Sequence, residues 1–279
     1  MKPALSDSIQ TYLQNIPADD DAIDLAQTAL ILAQTQQPDI SLERYENHLK
    51  LIAEQTTAHF GDQTEDTATA RLDTIRTILG DNQGYQGDTE TYDDLQNASL
   101  IRVIERRKGL PVSLCILTIH IARAQGWLIH GLNVPGHVLC RLDHGGEQLI
   151  FDPFNNWQPL DAAGLRALLK RTAGEHVELS ATYMQPATNR ELLIRLQNNI
   201  KFRQIEAEDY KAALQTVETM RFIDPEEVRL MLEAGVLYAR LGQALAAIDN
   251  LEKYITLAPN SDDRFEASLL LQDLKSSLN

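Results

Sequence analysis

The sequence predicts an α+β protein that is mostly α-helical: a helical N-terminal region, a central core with a small antiparallel sheet, and a C-terminal array of α-helical hairpins. Three observations support this fold class. Apolar residues recur at helical spacing over most of the chain, short β-rich runs interrupt that spacing between residues 127 and 154, and an internal repeat of 34 residues follows. The pattern predicts three regions in order, 1–88, 89–185 and 190–279.

Composition bounds the classes of function. The 279 residues include 25 Lys and Arg against 40 Asp and Glu, a formal net charge of −15, and 43% are hydrophobic. An acidic chain repels nucleic-acid phosphates and anionic lipid headgroups, so we expect a protein or peptide partner, no nucleic acid and no membrane. No apolar run approaches the roughly 20 residues of a membrane span. The polar start does not read as a signal peptide, and two cysteines suit a reducing cytoplasm.

Three amphipathic helices are predicted between Asp21 and Leu79, in an N-terminal region that packs on the core. An acidic run at 19–21 stands before the first helix, where carboxylates cap free N–H groups and meet the positive end of the helix dipole. We assign that run a structural role. The apolar positions with helical spacing are Ile23, Ala26, Ala29, Leu30 and Ala33, then Leu42, Tyr45, Leu49, Leu51 and Ile52, then Ala70, Ile75 and Leu79.

A fourth helix is predicted from Asp93 to Lys108, followed by a core helix from Pro111. Basic residues in its last turn, Gly109 just beyond and Pro111 after that form a complete helix stop pattern. The next helix is apolar almost all round, so it should be buried on most faces. It is therefore the predicted core helix of its domain.

The basic cluster at the end of the fourth helix has two interpretations. Arg102, Arg106, Arg107 and Lys108 can compensate the partial negative charge at a helix C-terminus. Alternatively, Arg102, Arg106 and Arg107 contact an anionic ligand or an acidic peptide, because guanidinium groups bind carboxylates in a bidentate manner. The first interpretation is favoured, and the second stays open.

A small antiparallel sheet is predicted from the runs 128–134, 137–142 and 148–151. The second and third of these runs form a hairpin. If its turn is centred between His144 and Gly145, His137 and Asp152 lie directly opposite each other, with Cβ atoms about 5 Å apart. A carboxylate there can orient an imidazole and stabilise its protonated form. The same pair could simply brace the hairpin, with Asp152 capping the turn that follows it, and a bulge would shift the register and separate the two side chains.

An oriented imidazole needs a nucleophile within hydrogen-bond reach to act in catalysis. Cys140 is three residues along the strand from His137, so it should face the other way. Ser113 lies in the first turn of the core helix, but a Ser there is most often a cap. Cys115 is two residues deeper, about 200° round the helix, and a lone Cys in an apolar helix is usually core. Ser113 and, less favoured, Cys115 are the candidate nucleophiles.

The C-terminal region repeats itself. Ala212-Ala213-Leu214 recurs as Ala246-Ala247-Ile248, an offset of 34 residues. Paired helices with this period resemble the tetratricopeptide repeat (TPR), whose units bury their apolar faces only by stacking and so form a concave groove. Two units, 190–224 and 225–259, and a capping helix at 264–278 are predicted. An ordinary helical bundle is the alternative, and the groove is where we expect a protein or peptide partner.

Four runs carry a resemblance to a known family: YDDLQN at 92–97, VIERRKGLPVSL at 103–114, GLNVPGH at 131–137 and DPFN at 152–155. Together with the repeats they look like the bacterial SirB-type family, transglutaminase-like proteins with C-terminal TPRs. The resemblance implies a transglutaminase-like (papain-like) core over 89–185. It also implies that His137 and Asp152 correspond to the superfamily's catalytic His and Asp.

That superfamily's catalytic Cys should stand near Pro111 to Ser113, where this chain has none. The first functional hypothesis is therefore a non-catalytic, degenerate transglutaminase-like protein that acts in protein–protein interaction or regulation through its TPR module. The alternative is a peptidase-like hydrolase or acyl transferase that uses Ser113 or Cys115 with His137 and Asp152. No cofactor or metal is expected, because no phosphate loop, dinucleotide fingerprint or metal-ligand spacing occurs.

Overall fold

The computed structural model describes residues 6–259 and 262–277, and it confirms the mostly helical α+β class. The chain forms two compact units. The larger is Pro17–Leu196; the smaller combines the segment up to Ile16 with the residues from Gln197 onward. The finer division at residues 88 and 185 stays a prediction.

The helices alternate with short strands and turns along the larger unit and follow one another directly in the smaller one. The helices of the described residues, in chain order, are α1 (Asp7–Gln14), α2 (Leu25–Gln34), α3 (Glu43–Gly61), α4 (Ala68–Ile75), α5 (Leu100–Arg106), α6 (Pro111–Ala124), α7 (Ala162–Ala173), α8 (Asn189–Glu206), α9 (Tyr210–Ile223), α10 (Arg229–Arg240), α11 (Ala244–Leu257) and α12 (Asp262–Ser277). Among them, none combines the length and the apolar character that crossing a membrane requires.

The three helices predicted between residues 21 and 79 are confirmed as α2, α3 and α4, and α4 continues as a π-helix over Arg76–Asn82. Their capping differs from the prediction. Asp24 caps α2 by accepting from Gln27 N at 3.0 Å. Asp20 instead accepts from the backbone N–H groups of Asn189 and Arg190, at 2.7 and 3.0 Å, so it caps α8, a helix that is distant in sequence.

The predicted fourth helix, 93–108, is wrong at both ends. Asp94 caps a 3₁₀ turn, Leu95–Ala98, and α5 is only seven residues long. Its left-handed C-terminal residue is Arg107, with φ 60°, rather than Gly109. The reason is a pair of two-residue strands, β1 (Gln86–Gly87) and β2 (Lys108–Gly109), whose parallel pairing takes residues 108–109 out of the helix.

The core helix α6 is confirmed: it begins at Pro111 and is buried on nearly every face. The predicted antiparallel sheet is also confirmed, with strands in the order in which they occur along the chain. These strands are β3 (Leu128–Val134), β4 (His137–His144), β5 (Glu147–Asp152) and β6 (Gln158–Pro159).

The predicted register of the second hairpin is wrong by two residues. Gly145 and Gly146 form the turn, both at positive φ, and His144 pairs with Glu147. Two consecutive positive φ values fit the tight turn that matches the twist of the flanking strands, and Gly adopts them without a Cβ clash. A shift of two residues leaves every side chain on its expected face, so His137 and Asp152 still share a face and meet diagonally.

The first predicted repeat unit contains α8 and α9, the second contains α10 and α11, and α12 lies where the capping helix was predicted. In the smaller unit, α10 packs on both α9 and α11, and α11 packs on α12. The contact between α10 and α11 is close: a Cβ on Gly235 would lie 2.8 Å from Leu251 Cγ. The first helix, α1, packs against α9 and belongs to this unit.

Candidate functional site

The His137–Asp152 pair lies at the start of β4 and the end of β5. His137 Nε2 lies 2.9 Å from Asp152 Oδ1, and both side chains are buried. Since an ionised carboxylate only accepts, Nε2–H donates and Nδ1 is the nitrogen left for another group. The predicted contact is therefore present, although the predicted directly opposite pairing is not.

Local structure holds each member of the pair in place. His137 follows the turn Pro135-Gly136, where Gly136 has φ 73° and a Cβ would lie 2.6 Å from Thr172 O. Thr172 at the end of α7 donates its hydroxyl to Pro135 O at 2.9 Å. Asp152 Oδ1 also accepts from Phe154 N at 3.0 Å, so the predicted capping role of Asp152 is confirmed alongside its contact with the imidazole.

An aromatic edge covers the imidazole. The ring of Phe154 meets that of His137 at 89°, with centroids 5.9 Å apart, and Tyr92 packs edge-on against Phe154 at 5.7 Å. Gly87 makes room for this cover, because a Cβ there would lie 2.4 Å from Phe154 O. The strand β1 thus fixes the residue that shields His137.

Ser113 is bonded elsewhere. Its hydroxyl donates to the backbone carbonyl of Asn97 at 2.7 Å, and that carbonyl also accepts from Leu110 N at 3.1 Å. Ser113 is fully buried and is not the helix cap that the sequence favoured, since Leu110 occupies that position. Among the described residues, Ser113 and His137 are not hydrogen-bonded to each other.

Cys115 is bonded to a different part of β4. Its thiol donates to Leu139 O at 3.7 Å, and Cys140 donates to Cys115 Sγ at 3.2 Å. Both cysteines are fully buried. Burial, and secondarily the neighbouring Cys115, raises the pKa of the Cys140 thiol, so Cys140 is held as a neutral donor. The expectation that Cys140 points away from His137 stays a prediction.

Arg106 belongs to a buried network. Its guanidinium donates to Asp88 Oδ2 and to Asn97 Oδ1, each at 2.9 Å, and the Asp88 side chain is fully buried. Thr91 adds two further bonds to the same carboxylate. Although burial acts to raise it, hydrogen bonds from Thr91, Asn97 and Arg106 hold the pKa of Asp88 far below its usual value. This network reaches Ser113 through Asn97.

The other two arginines of the cluster differ. Arg102 pairs with Glu105 at 2.8 Å. Arg107, in its left-handed conformation, donates to the hydroxyl of Tyr85 and to His48 Nε2 and stacks over the Tyr85 ring at 4.7 Å. Its side-chain partners in the described part of the chain are thus uncharged. A guanidinium can only donate, so His48 Nε2 must accept and the ring is neutral.

His48 should titrate far below an ordinary histidine. Burial first, and the charge of Arg107 second, lower its pKa to about 4. Because the folded-state pKa is depressed, the folded chain resists a proton that the unfolded chain accepts; this contribution to stability is complete above pH about 6.5 and declines towards pH 4. An NMR titration of the imidazole should give a midpoint near pH 4, and Arg107→Met should raise it only partly, since burial persists. A wild-type midpoint of 6 or above would contradict the assigned contacts.

Sequence reasoning missed Asp88 and His48 and assigned no contact to Asn97 or Tyr85. These four residues position the candidate residues. Their contacts join residues 9 to 59 positions apart, and no local spacing encodes them. The glycines at positions 80, 84 and 87 are a signal that could have indicated close packing of this segment, because glycine lets the backbone approach another segment closely. In the described residues, no group of three or more His, Cys, Asp or Glu side chains could hold a metal ion.

The fold and the site together define a class of protein: a transglutaminase-like core with a strand-borne His–Asp pair, followed by TPR hairpins. Family models agree with this description. The model described as "Transglutaminase-like superfamily" matches residues 43–198, and "Tetratricopeptide repeat" matches residues 200–272. The resemblance predicted from the sequence is confirmed at this level.

Two similar proteins are bacterial. A UPF0162 protein of Xylella fastidiosa is 28% identical, over 87% of both chains, and one of Pseudomonas aeruginosa is 30% identical, over 69% of both. The chain belongs to this UPF0162 family within the transglutaminase-like superfamily. Human F-box only protein 21 is 26% identical over 67% of this chain but only 32% of its own length. Among solved structures, a crystal structure of menin aligns with 93% of this chain and 71% of that chain at 11% identity, with a TM-score of 0.39.

Proposed function

We propose that this protein is a cytoplasmic, regulatory interaction protein: its TPR helices hold a segment of a partner protein, and its transglutaminase-like core carries out no acyl chemistry. One observation supports the proposal that the TPR helices bind a partner protein. Phe202 on α8 and Val236 on α10 are equivalent positions one repeat apart, and both expose apolar surface, 56% and 36%. Exposed apolar residues grouped in a groove are typical of a binding surface.

The contacts of the two candidate nucleophiles support the proposal that the core carries out no acyl chemistry. Ser113 gives its hydroxyl proton to Asn97 O, and Cys115 gives its thiol proton to Leu139 O. Both acceptors are main-chain atoms of ordered elements, so freeing either nucleophile would leave a buried carbonyl with one fewer donor. The His137–Asp152 pair then serves to brace the hairpin to the turn that follows β5.

Partner binding by the TPR helices can be tested with a library of random 12-residue displayed peptides, from which those that bind the full-length chain are selected. We expect bound peptides that Val236→Asp releases and Leu245→Asp retains, because Leu245 is exposed on α11 and does not line the groove. Circular dichroism checks that each variant folds. If no selected peptide is sensitive to Val236→Asp, the TPR groove is not the binding surface.

A second candidate function rests on the His137–Asp152 geometry itself. The 2.9 Å contact is the one that an acyl hydrolase or transferase uses to orient its base, with Ser113 or Cys115 as nucleophile. Turnover of amide or ester substrates that His137→Ala abolishes, with the circular dichroism spectrum unchanged, would establish this activity. Labelling of Ser113 by a fluorophosphonate, or of Cys115 by iodoacetamide, would identify the nucleophile. Absence of both supports the interaction protein.

A further inference from the structure

The groove on the TPR unit has a distinct chemical character. It is a cavity of about 320 Å³, the size of a small ligand pocket, with an apolar floor and charged ends. The floor is contributed by α8 and α10, together with the ring of Tyr210 at the start of α9. The apolar side chains of the floor include Phe202, Ile205, Leu232 and Val236.

Charge at the groove is opposite to that of the chain. Lys201, Arg229 and Arg240 line it against Glu233 and Asp263, a surplus of one positive charge on a chain of net charge −15. Lys201 is buried and already forms an ion pair, since its ammonium lies 2.7 Å from Glu233 Oε2. That pair neutralises itself and leaves the two arginines as the cations presented to a ligand.

The two arginines keep their charge exposed. Arg229 is 69% exposed and approaches Glu233 only to 3.7 Å, at a carboxylate already held by Lys201. Arg240 lies over the edge of the groove, with its guanidinium 5.9 Å from the centre of the Tyr210 ring, and it forms no ion pair in the part of the chain described. Each can therefore gain a carboxylate partner without losing a strong one.

Helix geometry places both arginines on one line. They are 11 positions apart on α10, which is about 16 Å along the axis and about 20° around it. Val236 lies between them on the same stripe. In an extended peptide, side chains on one face recur every two residues at about 3.3 Å per residue, so carboxylates four to six positions apart reach both guanidinium groups.

We propose, as an extension that rests on the proposed function, that the groove binds an extended acidic peptide of a partner protein. This segment has two carboxylates four to six positions apart that pair with Arg229 and Arg240, and an apolar side chain between them that packs on Phe202 and Val236. Charge complementarity supports this occupant, because the two arginines of the groove attract carboxylates. A second copy of this acidic chain could also present acidic segments, and it is one of the outcomes of the test.

The peptides selected on the full-length chain test this chemistry. We expect enrichment of Asp or Glu at that spacing around an apolar residue. By fluorescence anisotropy, Arg229→Glu/Arg240→Glu should weaken binding of a selected synthetic peptide about tenfold or more, because two attractions become repulsions. A matched variant, Lys170→Glu/Lys253→Glu, changes net charge equally at exposed sites outside the groove and should leave binding within about twofold.

The outcomes separate the two proposals. Peptides that depend on Val236 but lack the paired acids, or that bind Arg229→Glu/Arg240→Glu as tightly as the wild type, overturn the acidic-peptide inference and leave the interaction function standing. Peptides that do not depend on Val236 overturn both. A dimer of the wild-type chain in light scattering that Arg229→Glu/Arg240→Glu dissociates would show a second copy to be the occupant, and would likewise overturn the inference.

Discussion

Arg106→Met should lower the free energy of unfolding by about 3 kcal/mol, because it leaves the fully buried carboxylate of Asp88 without its cation. Removing one partner of a buried pair costs more than the pair contributes, since the remaining charge has lost both water and its counter-charge. Arg106 is 25% exposed, so water offsets part of the loss and places the effect at the lower end of the usual range. Urea denaturation followed by circular dichroism measures it.

Two variants sharpen this prediction. Arg102→Met removes a more exposed guanidinium from the same helix, whose pair with Glu105 contributes little, so its effect should stay below about 1 kcal/mol. Asp88→Asn added to Arg106→Met should recover part of the loss, because it removes the buried charge. A double variant less stable than Arg106→Met alone would contradict the explanation.

The same network makes the stability of the fold depend on pH in the acid range. The pKa of Asp88 is held far below its unfolded value, so the stabilisation is present above pH about 4 and is lost as pH falls through the folded-state pKa. In Arg106→Met that contribution is already reduced. Its stability should therefore fall less steeply below pH 4 than that of the wild type.

The sequence was sufficient for elements whose cause is local. The core helix α6 could be predicted because Pro111 suits a first helical position and the residues after it are apolar on every face. The TPR hairpins could be predicted because the 34-residue offset repeats the small residues at each helix crossing. These features depend on spacing, which the sequence displays directly.

The hairpin register shows how a local prediction fails by a small step. The sequence indicated a turn at residues 144–146 but not which two residues occupy it. The structure places Gly145 and Gly146 there, since both positions need positive φ. The pairing shifted by two residues and the faces were preserved, so the inference about His137 and Asp152 held while its geometry changed from opposite to diagonal.

Contacts between distant segments could not be predicted. The position of Ser113 predicts a helix cap or a nucleophile, yet its hydroxyl donates a hydrogen bond to the carbonyl of Asn97, 16 residues earlier. In the sequence, Arg107 is one of four basic residues with no feature that distinguishes it from the others. In the structure it alone of these four adopts a left-handed conformation at the end of α5, and it contacts His48, 59 residues away. Tertiary packing decides such partners, and chain spacing carries no information about it.

Trp157→Ala should cost about 4 kcal/mol of stability, a larger effect than that of Arg106→Met. The indole is fully buried and donates from Nε1 to Thr118 Oγ1 on α6 at 2.8 Å. Its ring lies against Gly80, where a Cβ would come within 3.4 Å of Cζ3. Truncation removes the hydrogen bond and opens a cavity that rigid elements on both sides cannot close.

The backbone at this position amplifies the effect. Asn156 and Trp157 both adopt positive φ, 51° and 53°, which non-glycine residues avoid, so the surrounding contacts must hold them there. These two residues lie between Asp152 and β6. Without the indole anchor, the segment that presents Asp152 to His137 loses its attachment to α6.

Trp157→Phe is the matched control. It keeps most of the buried ring and gives up the Nε1–H bond, while Thr118 keeps its own bond to Leu114 O. Its loss should therefore be about 1–2 kcal/mol. In NMR spectra the His137 imidazole signals should broaden or shift in Trp157→Ala and stay close to the wild type in Trp157→Phe. Equal effects of the two variants on stability would show that the hydrogen bond, and not packing against α6 and Gly80, fixes the segment after Asp152.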